Sequence, residues 1–242
     1  MSKIYCLGDI HGELDKLNNL LDKLDIQSNT TIVFLGDYVD RGPNSYGVIE
    51  RLKELKKECS CIFIVGNHDQ MFFEDTRYRS HLPLETNKLS GEIRYSLWWQ
   101  GARETYKSYI DAGVTPDVHL EFWEWMSSYA TITINDEKHL FVHGGYNRHK
   151  LLEDQKNDHD YFLWDRDLIM AAHSYEKMED KRYKFKNKDK FKYIYVGHTP
   201  VQMWGLNSPQ LWGNVWAMDT GVGKVKDAEL YALEVTTQTL IK

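Results

Sequence analysis

The fold of this chain is decided by a recurring pattern that first reads Ile4-Tyr5-Cys6-Leu7-Gly8-Asp9-Ile10-His11-Gly12. A short apolar run ends in a glycine-rich segment with an aspartate and a histidine, and leucines then recur at helical spacing between residues 14 and 24. The order returns twice, with apolar runs at 32–35 and 62–65 and a helical pattern between them. Continuous apolar strands that alternate with helices predict a parallel sheet with helices on its faces.

A polar, glycine-rich segment also follows each of the later predicted strands. The second and third strands end in Gly36-Asp37-Tyr38-Val39-Asp40-Arg41-Gly42 and Gly66-Asn67-His68-Asp69. Two more strands end in His143-Gly144-Gly145 and Gly197-His198-Thr199. Because ligand sites collect at the carboxyl ends of the strands in such sheets, we expect these segments to converge.

The side chains of these segments are typical metal ligands. Asp9 and His11 can face the same side just after a strand, and the two oxygens of Asp37 can bridge two ions. One aspartate or histidine beside a glycine is more often a turn residue, but the recurrence at successive strand ends favours ligands. A mixed oxygen and imidazole set suits Mn, Fe, Zn or Mg. Two such ions roughly 3.5–4 Å apart can activate a shared water and support in-line displacement at phosphorus. The candidate ligands are Asp9, His11, Asp37, Asn67, His143 and His198.

The middle of the chain, about residues 70–129, has a helical pattern without metal-type clusters and is predicted to be a helical insertion or cap. Its tryptophans can pack a helical layer or, with Arg94 or Arg103, line a substrate groove; they are Trp98, Trp99, Trp123 and Trp125. After residue 130 we predict a hairpin formed by 131–134 and 140–142, and strands at 193–196, 215–218 and 230–235 that complete a second sheet. The predicted fold is an α/β sandwich of two mixed sheets flanked by helices, in a single domain of residues 1–242.

Composition limits the classes of function. Hydrophobic residues make up 42% of the 242 residues, enough for a full core, and the net charge of −6 argues against general polyanion binding. Three cysteines, no leader-like start and no apolar stretch of about 20 residues lead us to expect a cytoplasmic protein with no membrane contact.

A basic run stands out in this acidic chain, with seven Lys or Arg residues between Lys181 and Lys192. They form either a solvated face or a basic rim for a phosphorylated or nucleic-acid substrate.

The complete set of segments resembles the phosphoprotein phosphatase branch of the calcineurin-like metallophosphoesterases, in its bacterial and phage serine/threonine phosphatase form. The resemblance runs from Gly8 to about Gly221 and implies the calcineurin-like sandwich fold. It implies a first metal site of Asp9, His11 and Asp37. It also implies a second site, formed by Asp37, Asn67, His143 and His198.

The resemblance also implies catalytic roles. His68 would protonate the leaving oxygen as a general acid, and Asp40 would orient it. Arg41 and Arg166 would hold phosphate oxygens with their planar guanidinium groups. The chain departs from the pattern at Asp69, where eukaryotic members carry glutamate, and in the loop after Gly221.

The expected function is metal-dependent hydrolysis of phosphomonoesters, with phosphoserine or phosphothreonine of proteins as the favoured substrate. A hydroxide bridging two divalent ions, with Mn²⁺ favoured, would attack phosphorus directly. The alternatives are a symmetrical dinucleoside tetraphosphate hydrolase and a phosphatase or nuclease that acts on nucleic-acid ends. A non-catalytic metal-binding scaffold is disfavoured, because no predicted ligand and no acid histidine is missing.

Overall fold

The computed structural model describes residues 2–80, 101–180 and 185–242. Within them, eleven strands form two sheets. The first sheet has the order β11-β10-β1-β2-β3-β4 and the second β5-β6-β7-β9-β8. The strands are β1 Ile4–Leu7, β2 Thr31–Phe34, β3 Ser60–Ile64, β4 Met126–Ser127, β5 Tyr129–Ile134, β6 Glu137–Val142, β7 Tyr193–Val196, β8 Gln210–Trp212, β9 Val215–Ala217, β10 Ala232–Glu234 and β11 Thr239–Ile241.

Seven α-helices accompany these strands in the described ranges. They are α1 Leu14–Leu21, α2 Ser45–Glu58, α3 Asn67–Ser80, α4 Ala102–Asp111, α5 Leu120–Glu124, α6 His159–Trp164 and α7 Asp167–Glu176. Three short 3-10 helices cover Pro116–His119, Leu152–Gln155 and Val201–Trp204. The predicted fold class, two mixed sheets with flanking helices, is confirmed.

The repeated pattern of the first seventy residues forms a parallel unit, as predicted. β1, β2, β3 and β4 are parallel, and Tyr5 is paired with Ile32 across the first two strands. The leucines of α1 and the apolar residues of α2 are buried against this sheet. Asn44 caps α2 by accepting a 2.8 Å hydrogen bond from the backbone N–H of Gly47, which satisfies one of the free donors of its first turn.

The two sheets face each other across an apolar layer. Cys6 of β1 and Val33 of β2 belong to the same buried cluster as Phe141 of β6 and Tyr195 of β7. The rings of Phe141 and Tyr195 are stacked with 4.5 Å between their centroids. The backbone N–H of His198, two residues after β7, donates to the carboxylate of Asp9, two residues after β1, so these two strands end on the same side of the layer.

The prediction that residues 230–235 complete the second sheet is wrong. β10 joins the first sheet, where it pairs antiparallel to β1 with Tyr5 opposite Glu234. Leu233 of β10 points into the layer between the sheets. An apolar run shows that a strand is buried, but it does not show which neighbouring strand supplies its hydrogen bonds.

The predicted insertion at 70–129 is helical only in part. α3, α4 and α5 lie within it, but β4 extends the first sheet and Tyr129 begins β5. A strand of two residues is too short to show a periodicity of its own. Trp123 is buried against Phe72, so it has the packing role that was one of the two alternatives.

Some predicted features lie outside the described residues: Arg94, Trp98, Trp99 and residues 181–184 of the basic run. In the part of the chain that is described, we find no helix that is both long enough and apolar enough to span a membrane.

Candidate metal centre

The predicted ligands converge where the carboxyl ends of the two sheets face each other. The first sheet supplies Asp9 after β1, Asp37 after β2 and Asn67 at the start of α3. The second sheet supplies His143 after β6 and His198 after β7. All five side chains are buried. Residues up to 189 positions apart in the chain are in contact, since the backbone N–H of His198 donates to the carboxylate of Asp9.

Asp37 lies at the centre of this cluster. Its Oδ2 is 3.5 Å from Nε2 of His11, and its Oδ1 is 3.4 Å from Nε2 of His143. Asp37 thus belongs to two groups whose possible ligand atoms all lie within 4.8 Å of one another. One group adds His11 and His68, and the other adds Asp9 and His143. A carboxylate shared by two ligand groups is what bridging two ions requires.

The hydrogen bonds of two imidazoles fix which nitrogen faces the cluster. Nδ1 of His11 lies 2.8 Å from the carbonyl oxygen of Val39, and Nδ1 of His143 lies 2.8 Å from that of Leu35. Because a carbonyl only accepts, each Nδ1 is the donor. Burial lowers the pKa of both imidazoles, so each is neutral and carries a lone pair on Nε2.

These lone pairs make the cluster rich in acceptors. Nε2 of His143 faces Oδ1 of Asn67 at 3.0 Å and Oδ1 of Asp37 at 3.4 Å. Nε2 of His198 is buried and has no hydrogen-bond partner among the described residues. Acceptors that face one another in a buried site repel unless a cation lies between them. The donor set therefore fits a divalent metal ion, and its oxygen and imidazole atoms suit Mn, Fe, Zn or Mg.

Charge in the cluster leads to the same conclusion. Burial raises the pKa of Asp9 well above its usual range, and the carboxylates of Asp219 and Asp37 raise it further. Buried carboxylates so close together have too little positive charge around them, which divalent cations would supply.

The backbone that carries these groups is in an unusual conformation. His11, Asp37, Asp40, Arg41 and His198 all have positive φ angles, between 47° and 71°. Non-glycine residues with positive φ are uncommon, and they cluster at functional sites where the surrounding structure holds them in place.

His68 and Asp40 form a buried pair beside the cluster. Nδ1 of His68 is 2.7 Å from Oδ2 of Asp40. Burial alone would lower the pKa of His68, but the carboxylates of Asp37 and Asp40 raise it above the usual value. Nε2 of His68 accepts a hydrogen bond of 2.8 Å from Nη2 of Arg41, whose Nη1 lies 2.5 Å from Nε2 of His11. Arg41 thus links the acid candidate to the ligand cluster.

Comparison with known proteins identifies the family. The family model described as calcineurin-like phosphoesterase matches residues 2–202. This chain belongs to that family. Members of the family depend on metal ions, and the phosphoesterase described here has the oxygen and imidazole atoms that such ions need.

Several relatives of this phosphoesterase carry names. A bis(5'-nucleosyl)-tetraphosphatase PrpE of the asymmetrical type from Oceanobacillus iheyensis is 40% identical over 96 residues, which are 35% of this chain and 38% of the relative. A symmetrical bis(5'-nucleosyl)-tetraphosphatase from a Janthinobacterium strain is 28% identical over 142 residues, 58% of this chain and 43% of the relative. Both matches thus span less than half of the relatives' own lengths.

A similarity to solved structures supports the fold. A protein assigned as a diadenosine tetraphosphatase superposes with a TM-score of 0.60 at 17% identity, over 99% of this chain and 92% of the other. At this identity the likeness concerns the fold alone.

Two residues that the sequence analysis did not assign to the site hold its loops in place. Asp69 accepts hydrogen bonds from the backbone N–H groups of Asp37 at 2.7 Å, Tyr38 at 2.8 Å and Gly66 at 2.9 Å. Thr105 of α4 donates to Oδ1 of Asp40 at 2.8 Å and accepts from the backbone N–H of Asp40. Asp69 closes the polar segment Gly66-Asn67-His68-Asp69, and that place in the sequence was the signal for its role.

Arg166 lies at the rim of this phosphoesterase's cluster. It is exposed and precedes the first residue of α7. Its charge reaches the cluster, since it is among the groups that lower the pKa of His198 to about 3, although burial is the largest cause. Trp164, which is 40% exposed, places its ring edge-on to that of His198 with 5.7 Å between centroids.

Proposed function

We propose that this protein is a dinuclear metal-dependent hydrolase of bis(5'-nucleosyl) tetraphosphates. The proposed substrate class rests on the names of the two relatives compared above, both of which are bis(5'-nucleosyl)-tetraphosphatases. The proposed metal dependence rests on the acceptor atoms that face one another around Asp37. The earlier expectation of a phosphoserine phosphatase stays a prediction, which the same experiment tests.

The ligands divide into two sets that share Asp37. Asp9, His11 and Asp37 would hold one ion. Asp37, Asn67, His143 and His198 would hold the other. When bound, two divalent ions would supply a Lewis acid and lower the pKa of the water that attacks phosphorus. Mn²⁺ is the favoured ion, and Fe, Zn or Mg suit the same atoms.

His68 would act on the leaving group. Its hydrogen bond to Asp40 fixes the ring, and the nearby carboxylates favour its protonated form. In the geometry observed, Nε2 accepts from Arg41. If Arg41 turns toward a substrate phosphate, Nε2 becomes free to carry a proton and to donate it to the departing oxygen.

The two arginines would bind the phosphate chain. Arg41 is part-buried among the ligands, and Arg166 is exposed at the rim beside Trp164. A guanidinium group binds two phosphate oxygens at once, which orients the chain as well as neutralising it. A chain of four phosphates offers more non-bridging oxygens to the two guanidinium groups than a single phosphate monoester does.

A substrate panel tests this proposal. The manganese-loaded protein is assayed with diadenosine tetraphosphate, a phosphoserine peptide and a 5'-phosphorylated oligonucleotide, each before and after chelation. We expect kcat/KM to be highest for the dinucleotide and to be lost on chelation. Chromatography of the products shows whether cleavage yields two ADP molecules or ATP and AMP. A higher kcat/KM for the phosphopeptide would refute the proposed substrate, and activity that survives chelation would refute the metal dependence.

A further inference from the structure

A cavity of about 480 Å³ opens on the outer face of the second sheet, away from the metal centre. Its walls come from Tyr129 of β5, Lys138 of β6, residues 151–156 and residues 188–191. Side chains alternate along β6, so Lys138 shares the face of Leu140 and Val142, opposite the face that Phe141 turns toward the first sheet.

The cavity runs along the outer face of β5 and β6, and its Lys138 lies at the end of β6 that is far from the metal centre. Lys138 is the second residue of β6, whereas His143 follows the last one. Five residues of strand separate their Cα atoms by roughly 17 Å at a rise of about 3.3 Å per residue. A ligand bound at Lys138 therefore lies away from the proposed metal ligands, and His143 follows Phe141 by two residues, so its side chain is on the opposite face of the sheet.

Positive charge is concentrated around this cavity in a chain whose net charge is −6. Four lysines line it, namely Lys138, Lys156, Lys188 and Lys190. Over the described ranges, none of the four ammonium groups has a carboxylate within 4.0 Å, whereas the nearby Lys192 is paired with Glu137 at 3.0 Å. Unpaired like charges that share one cavity favour an anionic ligand.

The two carboxylates of the cavity offset this charge only in part. Both oxygens of Asp189 accept from the backbone N–H of Leu152, at 3.1 and 3.2 Å. Glu153 is exposed on the 3-10 helix Leu152–Gln155. The walls thus carry four positive and two negative side chains, and one of the negative ones is engaged by the backbone.

The walls are held together by buried hydrogen bonds. The side chain of Asn187 accepts from the backbone N–H of Phe191 at 2.7 Å and donates to its carbonyl at 3.0 Å. The backbone N–H of Lys188 donates to the carbonyl of Arg148 at 2.9 Å. Asp189 joins this loop to Leu152 of the opposite wall. A cavity whose walls are already fixed loses little entropy when it binds a ligand.

We propose that this cavity binds a multiply charged phosphate chain, either inorganic polyphosphate or the phosphate chain of a nucleotide. Lysine binds phosphate as a point charge, and several lysines around one cavity match several phosphates better than they match one carboxylate. The volume is in the range of small-molecule sites, roughly 300–1,000 Å³. The inference does not depend on the proposed reaction, because its test measures binding.

Lysine footprinting locates the ligand directly. The manganese-loaded protein is acetylated briefly with and without tripolyphosphate, and peptides are quantified by mass spectrometry. We expect tripolyphosphate to slow the acetylation of Lys138, Lys156, Lys188 and Lys190. Lys57 of α2 and Lys177 after α7 are exposed controls that should react equally in both samples. Unprotected cavity lysines would overturn the proposal.

Footprinting with two further ligands identifies the source of the phosphate chain. A β,γ-methylene analogue of ATP that protects better than tripolyphosphate would show that a nucleoside contributes, and equal protection would show that the phosphate chain suffices. Both results support the binding of a phosphate chain in this cavity. Protection by an acidic peptide without phosphate, as strong as that by tripolyphosphate, would refute the preference for phosphate.

Matched variants measure the contribution of the charges. Lys138→Gln with Lys188→Gln should weaken tripolyphosphate binding roughly tenfold, as two partly exposed charge contacts would. The control pair Lys57→Gln with Lys177→Gln changes the net charge equally and should leave the Kd unchanged. Glu153→Gln should tighten binding, a gain that misfolding cannot produce. Equal Kd changes in both lysine pairs, together with no gain in the glutamate variant, would contradict the proposal.

Discussion

The pair formed by Asp40 and His68 permits a sharp test of general-acid catalysis. In Asp40→Asn the side chain keeps its shape but loses its charge, so the 2.7 Å hydrogen bond to His68 is no longer charge-assisted. A buried hydrogen bond to a charged group contributes about 1.5–3 kcal/mol. If the whole contribution is realised in the transition state, kcat falls roughly 10- to 150-fold.

The assay compares two monoesters of similar shape, phenyl phosphate and p-nitrophenyl phosphate. p-Nitrophenolate leaves readily without a proton, whereas phenolate benefits from one, so the loss should be larger for phenyl phosphate. Manganese content is measured by atomic emission and should not change, because Asp40 belongs to neither ligand set.

Thr105→Val is the matched control for this prediction. It removes the 2.8 Å hydrogen bond to Oδ1 of Asp40 but leaves the carboxylate charge in place. Because the charge that polarises His68 remains, the loss in kcat should be smaller than that of Asp40→Asn, roughly fivefold if about 1 kcal/mol is lost in the transition state. If Asp40→Asn slows both substrates by the same factor, the assignment of His68 as general acid through Asp40 is refuted.

Three further predictions concern His68, the loop at Gly66 and the buried His119. His68→Ala should lower kcat for phenyl phosphate roughly 10²- to 10⁴-fold while its manganese content stays that of the wild type; an unchanged kcat would contradict the role. Gly66→Ala places a methyl group onto the carboxylate and backbone of Asp37 and should abolish manganese binding in a titration. In the control Gly113→Ala the added carbon meets open space, and the strain of its positive φ of 72° lies away from the ligands, so manganese should bind normally. Burial lowers the pKa of His119, so the free energy of unfolding should fall as the pH drops below about 6.5, the ordinary pKa of a histidine. In His119→Asn the free energy of unfolding, measured with urea, should fall less between pH 7 and pH 5.

The first half of the metal centre could be predicted from the sequence because its signals are local. The apolar run of β1 and the helical spacing of α1 are each contained in a few residues, and a parallel βαβ pattern brings the strand ends to one edge. Asp9 and Asp37 therefore converge by topology alone. No side-chain contact had to be known.

The remaining features depend on contacts that no local pattern shows. β10 was placed in the wrong sheet, since the choice between β1 and a strand of the second sheet is made by packing across the whole molecule. Thr105 is an ordinary polar residue in a helix, and its contact with Asp40 spans 65 positions. Helix α4 thereby positions the segment that holds Asp40, a role that periodicity does not reveal.

The same charges oppose folding and favour metal binding. Asp9 and Asp37 are buried in the centre, where burial raises the pKa of Asp9 most and the carboxylates of Asp219 and Asp37 raise it further. The lone pairs of His11 and His143 add to this excess of acceptors. Divalent cations would turn these repulsions into attractions that join the first sheet to the second, because each sheet supplies candidate ligands. Substitution of a ligand by a residue without charge can therefore stabilise the fold in the presence of a chelator while it destroys metal binding, which is the trade-off expected where a fold retains unfavourable interactions for its function.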